Sequence, residues 1–189
     1  MKTQTKLANA LKELMETKPL DTITVKELTE KVGINRQTFY YHYKNIYDLL
    51  MDIYLNEVVL GVEEVEEWRL ALTAIFDYTK TNFAFVKNTL TSAGRDLFIE
   101  FLYSVTYRTH LNILKKRDTN NVMSHDDQKF IAGFYAPSFV YLVVRWVDNS
   151  MREDPKEIIE LVAAIGSDYL RNAQHRVIDY RVRKGKENA

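Results

Sequence analysis

The sequence predicts an all-α protein, and three observations carry that prediction. Only three prolines and six scattered glycines punctuate 189 residues, of which 46% are hydrophobic. Apolar residues recur at helical spacing along most of the chain. Helix-starting residue groups stand ahead of several of those stripes.

The elements follow in order. Residues 2–17 read as an amphipathic helix with Leu7, Ala8, Leu11, Leu14 and Met15 on one face. Lys18-Pro19-Leu20-Asp21 breaks it. Thr24, followed three residues later by Glu27, has the reciprocal pattern that satisfies free amides at a helix start. The helix it opens, 25–32, shows Val25, Leu28 and Val32 on one face. Gly33 stops it, because glycine takes a left-handed turn at least cost. A short helix over about 36–43 follows, capped by Asn35. A further helix then starts after Asn45 with Asp48 at the capping-box position and is expected to run continuously near 46–62, coupling two domains. The remaining helices are expected at 66–88, 93–117, 125–149 and 155–178, with a polar loop at 118–123. Ser124 with Asp127 caps the third of these, and Asp154-Pro155-Lys156-Glu157 opens the last. Pro137 removes one intrahelical hydrogen bond and is expected to kink its helix.

The short helix at 36–43 is the most informative segment. It carries Arg36, Gln37, Thr38, Tyr40, Tyr41 and His42, with Lys44 just beyond, and only Phe39 and Tyr43 are obvious inward anchors. So many long donors on so short a helix are poorly explained by packing and well explained by insertion into a DNA groove. Arg36 can donate two hydrogen bonds to guanine and Gln37 can pair two-pronged with adenine. Thr38, Tyr40, Tyr41, His42 and Lys44 are suited to phosphates, which fix register without carrying sequence.

This pattern resembles the N-terminal DNA-binding domain of the TetR/AcrR family of bacterial transcription regulators, over roughly residues 3–55. The resemblance rests on Thr24-Val25, Leu28, Val32-Gly33-Ile34, the run Thr38-Phe39-Tyr40-Tyr41-His42-Tyr43-Lys44, and Asp48-Leu49-Leu50. Two residues depart from it. Thr29 stands where family members usually carry a small alanine, and Ile46 where many carry a phosphate-contacting lysine. The resemblance implies an all-α protein with an N-terminal three-helix, helix-turn-helix DNA-binding domain at 1–46. A helical ligand-binding and dimerisation domain at 47–189 completes it. It implies a palindromic double-stranded DNA operator, with Thr24, Asn35, Arg36, Gln37, Thr38, Tyr40, Tyr41, His42 and Lys44 facing it. Repression relieved by a small-molecule effector is the implied mode. The alternative is an interaction-driven regulator or co-activator whose C-terminal domain answers to a partner protein. Phe134-Tyr135, Trp146 and Met151-Arg152-Glu153-Asp154-Pro155 are similar to a subgroup related to dihydroxyacetone-kinase regulators, which bears on that alternative.

The C-terminal part is strongly aromatic. Most of its rings must be core, but the resemblance implies an effector pocket among these helices. Its candidates are Phe83, Arg95, Phe98, Tyr107, His110, Phe134 and Arg145. Residues 130–147 and 158–170 are apolar on more than one face, as helices buried on both sides are. They form the expected homodimer interface, with Phe130, Phe134, Val140, Val144, Ile158, Val162, Ile165 and Tyr169 as candidates.

The remaining features narrow the function classes. There is no cysteine, so neither a disulfide framework nor a thiolate metal site is expected, and a reducing cytoplasm fits. His42, His110, His125 and His175 are far apart, and the Glu63, Glu64, Glu66 and Glu67 cluster suits a helix start. Neither a metal nor another cofactor is expected, and no acid–base pair or nucleophile motif points to an enzyme. The N-terminus lacks the apolar core of a signal peptide, and no stretch reads as a membrane span, the segment 134–144 coming closest. Formal charge is zero overall. Residues 1–50 nevertheless carry eight Lys/Arg against six acids, and the segment from Arg171 to the end carries six against two, read as a solvated helix end.

Overall fold

A computed structural model describes residues 2–59, 67–166 and 168–187. Among the described residues every regular element is helical: α1 Thr3–Thr17, α2 Val25–Val32, α3 Arg36–His42, α4 Ile46–Tyr54, α5 Trp68–Thr81, α6 Phe83–Leu90, α7 Arg95–Arg117, α8 His125–Asp148, α9 Pro155–Gly166 and α10 Tyr169–Glu187. A 3₁₀ turn at Leu20–Thr22 follows α1, and α4 widens into a π turn at Leu55–Val59. The chain forms two compact units. The first comprises residues 1–60 with 77–102, the second 61–76 with 103–189.

In the first unit, α1 buries Leu7, Ala10, Leu11 and Met15, and α4 buries Ile46, Leu49, Leu50, Ile53 and Tyr54. Tyr54 is the hub, its ring centroid 4.8 Å from Phe98, 5.1 Å from Phe85 and 5.3 Å from Phe101. Its buried hydroxyl donates to Thr89 Oγ1 at 2.9 Å, so burial leaves no polar atom unpaired. Asn88 on α6 satisfies three backbone groups at the end of α1. Its Oδ1 accepts from Leu20 N at 2.9 Å, and its Nδ2 donates to Met15 O at 2.8 Å and Lys18 O at 2.7 Å. Gly94 permits close approach here, since a Cβ would lie 3.0 Å from both Leu20 Cδ2 and Leu50 Cδ2. At the π turn, Glu57 accepts from Lys12 Nζ at 2.8 Å and from the Tyr78 hydroxyl at 2.9 Å.

In the second unit, Phe76 packs edge-on against the buried Trp146 at 4.8 Å, and Trp146 Nε1 donates to Glu153 O at 2.8 Å. A second cluster joins Ile113, Leu114, Met123, Ile131, Ala132 and Leu170. The buried Asp118 holds the loop at 118–123 by accepting from Val122 N, Met123 N and Gln128 Nε2. Arg181 pins the outer half of α10 to Asp127 at 2.6 Å, and that pairing holds the Asp127 carboxyl below its ordinary range.

Several expectations need correction. The helix expected over 66–88 is two helices, broken at Asn82, whose side-chain amide competes for the Tyr78 carbonyl at 2.9 Å. The helix expected over 155–178 is also two. Asp168 at φ +60° lies beyond Gly166, and α10 then runs on to Glu187. The helix expected near 46–62 is α-helical only to Tyr54, and its last residues, with Glu63, Glu64 and Glu66, lie outside the described residues. As expected, α8 runs through Pro137 to Asp148 as one helix. By length and composition α8 is apolar enough to cross a membrane, but half of that stretch is buried inside the fold.

Candidate nucleic-acid interface

Helix α3 is positioned by local rules. Thr24 Oγ1 accepts from Glu27 N at 3.2 Å and starts α2. Gly33, at φ +73°, ends it, and Ile34 N closes the turn onto Thr29 O at 3.0 Å. Asn35 then caps α3, its Oδ1 accepting from Thr38 N at 2.8 Å and from the Thr38 hydroxyl at 2.9 Å. Thr29 fits the position usually held by alanine because its buried hydroxyl donates back to Val25 O at 2.9 Å. Ile46 fills the position often held by lysine as an apolar, buried side chain at the start of α4. Asn45 caps α4, Asp48 N donating to Asn45 Oδ1, and the Asp48 carboxylate reaches back to accept from Lys44 N, one residue before the cap.

Phe39 is wholly buried and anchors α3 from below, its ring 5.8 Å from that of Tyr43. Tyr43 donates to Asp52 Oδ2 at 2.7 Å, tying the end of α3 to α4. Burial and the neighbouring carboxylate together push its phenol above the ordinary tyrosine range. The opposite face is open. Arg36, Gln37 and Lys44 are exposed, Tyr40 is 57% exposed and Tyr41 86% exposed. His42 and Thr38 are half-buried, the His42 ring edge-on to Tyr41 at 5.1 Å. Thr24 and Asn35 are exposed while serving as caps. All nine sequence-selected residues therefore lie in one stretch of the first unit, and none is enclosed in its core. Lys31 and Lys26 are engaged by Glu13 and Glu30, which leaves Arg36 and Lys44 as the prominent cations beside α3. Sequence reading missed Asp52, which braces the end of α3, and Asn88, which braces the end of α1 in the same unit.

The seven pocket candidates divide between the two units. Phe83, Arg95 and Phe98 belong to the first unit: Phe83 is at the surface, Arg95 donates to Leu90 O, and Phe98 packs on Tyr54. In the second unit, Tyr107 stacks on Tyr103 at 5.9 Å, and Arg145 pairs with Glu153 at 3.0 Å. Phe134 is 67% exposed. His110 is fully buried. A cavity of about 630 Å³ is lined by Tyr135, Pro137, Phe139, Tyr141, Ile165 and Tyr169 among others, and another of about 380 Å³ by Phe134, Tyr135, Ile165, Tyr169 and Arg176 among others.

The eight interface candidates divide. Phe130, Phe134 and Ile165 (89% exposed) face outward, joined by Tyr141 and Leu161, which the sequence did not single out. Val140 and Val144 are buried within the chain. Ile158, Val162 and Tyr169 are half-buried.

Comparison with known proteins fits this architecture. The family model described as bacterial regulatory proteins, tetR family, matches residues 7–53, and the transcriptional regulator C-terminal region matches residues 66–168. Among solved structures, the dihydroxyacetone kinase operon activator DhaS is similar at TM-score 0.69 and 18% identity, over 89% of this chain and 96% of that one. The TetR family repressor AlkX from Dietzia sp. strain DQ12-45-1b, implicated in biodegradation of n-alkanes, is similar at TM-score 0.54 and 15% identity, over 89% and 97%. Both likenesses show the fold. No curated protein matches the sequence. Since the matched segments span most of the chain, the protein belongs to the TetR family of DNA-binding transcription regulators.

Proposed function

We propose that the protein is a homodimeric repressor that binds a palindromic operator through paired α3 helices and is released by a small-molecule effector. Residues 1–46 read the DNA, and residues 47–189 bind the effector and pair the subunits. The observation that carries this reading is the exposed Arg36–Gln37 pair on a helix fixed from below by Phe39 and Tyr43. Side chains at the start of such a helix reach base edges in the major groove, while Thr24, Thr38, Tyr40, Tyr41, His42 and Lys44 face phosphates. The outward Phe130, Phe134, Tyr141, Leu161 and Ile165 support pairing through α8 and α9, since a patch of this kind marks a protein contact. The effector acts by binding one dimer state better than the other, and the favoured state has a head spacing that no longer matches the operator. The protein works in the cytoplasm, with its DNA, and has no catalytic role.

The test is operator binding by gel shift or anisotropy. Arg36→Ala/Gln37→Ala is expected to weaken specific binding by roughly 30-fold or more, at ~1–3 kcal/mol for each base pairing. Weak, salt-sensitive binding remains. Unchanged affinity of the double variant for the same site sinks the base-reading assignment. A second reading, activation through a partner protein, is favoured by the motif around Trp146–Pro155 and by the likeness to DhaS, itself an operon activator. Co-purification of a stoichiometric protein that alters DNA binding, with no small molecule doing so, supports that reading instead.

A further inference from the structure

Tyr169 occupies a box built almost wholly of rings. Its centroid lies 4.6 Å from Tyr135, 5.8 Å from His110, 5.9 Å from Trp68 and 6.0 Å from Phe139. The floor of the box is polar. His110 Nδ1 lies 2.6 Å from Thr106 O, a carbonyl that can only accept, so Nδ1 carries the proton and Nε2 is the acceptor. The Tyr169 hydroxyl, 2.6 Å from Nε2, therefore donates to it. Burial drives the imidazole down to about 4, which keeps it neutral and accepting at physiological pH. Behind His110 a small void of about 10 Å³ runs along Trp68, Leu72, Ile75 and Phe139. In front, the Tyr169 side chain walls both larger cavities, of about 630 and 380 Å³. Tyr169 is thus a partition between an aromatic box with one acceptor and open surface volume. It opens α10 directly after the left-handed Asp168, so its backbone lies at a helix junction and not within a continuous helix.

We propose that this box is a ligand site for small phenols and that Tyr169 is its built-in occupant, displaced when a free phenol takes its place. The proposal deepens the effector reading above and rests on it. The chemistry is fixed by what the box now holds: a flat apolar ring with one hydroxyl donor aimed at His110 Nε2. Benzoates are disfavoured, because an anionic carboxylate meets the lone pair of a neutral imidazole in an apolar surround. Displacement sends the Tyr169 ring toward Ile165, the most outward apolar residue of the face assigned to pairing. Ligand occupancy and subunit pairing then draw on the same few residues.

The probe is p-cresol, the side-chain analogue of tyrosine, titrated calorimetrically into the full chain, with toluene as the control that lacks the hydroxyl. Wild type is expected to bind p-cresol saturably at one site per chain, and toluene more weakly. Tyr169→Phe keeps the ring and removes the competing hydroxyl, so p-cresol should tighten roughly 3- to 10-fold, the size of one hydrogen bond. Tyr169→Ala should tighten it further. His110→Phe should abolish the preference for p-cresol over toluene. Absence of saturable p-cresol binding in wild type and in Tyr169→Phe overturns the proposal, as does a preference that survives His110→Phe. Operator affinity without any ligand is measured in parallel. Loss of the phenol site with intact operator binding leaves the regulator reading standing, whereas failure of operator binding strikes the regulator reading alone.

Discussion

Helix α3 and helix α8 both leave aromatic rings on the outside, in opposite settings. Tyr40 and Tyr41 on α3 stand among Arg36, Gln37, His42 and Lys44. Phe130, Phe134 and Tyr141 on α8 stand with Pro137 and, from α9, Leu161 and Ile165. An exposed ring in a polar frame retains hydrogen-bonding neighbours for a charged, hydrated partner. An exposed ring in an apolar frame is costly in water and calls for a dry one. The supports behind the faces differ in the same way. Behind α3 the polar Tyr43–Asp52 pair ties side chain to side chain, and elsewhere in the same unit Asn88 bonds to backbone. Behind α8 the support includes ring against ring, around the polar pair His110–Tyr169. The frame around an exposed ring, more than the ring itself, says what it meets.

The largest expected effect breaks the apolar frame. Phe134→Glu with Ile165→Glu places like charges on the face proposed for pairing, which pairing would make dry. Subunit affinity should fall by at least about a thousandfold, or ~4 kcal/mol, on sedimentation equilibrium. Helical content should hold, because both positions are exposed in the single chain. A dimer of unchanged affinity removes this face as the interface.

Next is the polar pair behind it. His110 is held down to about 4 in the fold and has an ordinary value of 6.5 when exposed. Between those values the unfolded chain binds more protons, so stability rises with pH across that window and is lost on acidification from 6.5 toward 4. The loss is on the order of 3 kcal/mol at its full extent. His110→Gln carries no titrating group and should flatten that part of the profile in urea melts between pH 7 and 4.5. Parallel profiles in the two proteins refute the assignment. The polar brace at the end of α1, in the unit that carries α3, is smaller: Asn88→Ala leaves Leu20 N, Met15 O and Lys18 O without their partner and should cost about 2 kcal/mol in urea melts. A loss below about 0.5 kcal/mol means that water replaces the amide.

How much of this was legible in the sequence follows from how local each cause is. The bounds of α2 were readable because Thr24 and Gly33 act within one turn of the helix they delimit. The face of α3 was readable because Phe39 is its one strongly apolar, fully inward side chain. The division of α8 was not, because a helix apolar on most sides does not show which side its own chain covers. Val140 and Val144 turned inward while Phe134 turned outward, and neighbouring helices decide that. Asn88 carried no signal, since its partners lie 68 to 73 residues away, and His110 stood out as a polar residue within its helix while nothing pointed to Tyr169, 59 residues on. The break at Asp168 had one, Gly166, outweighed by the apolar stripe that continues past it.

The smallest effect sharpens the comparison most, because it changes one ring in each frame. Tyr41→Ser and Tyr141→Ser each remove an outward tyrosine, 86% and 64% exposed respectively. Neither should alter monomer stability by more than about 0.5 kcal/mol, as is usual for surface changes. If the polar frame meets phosphate, Tyr41→Ser weakens binding to operator and to unrelated duplex by a similar factor of a few-fold, since phosphate contacts carry no sequence. Its dimer affinity stays at the wild-type value. If the apolar frame meets a second subunit, Tyr141→Ser loses a comparable factor in dimer affinity. Its operator binding then recovers fully at protein concentrations high enough to restore the dimer. Crossed results, with Tyr41→Ser weakening the dimer or Tyr141→Ser weakening DNA binding at saturating dimer, mean that the surroundings of a ring do not predict its partner in this protein.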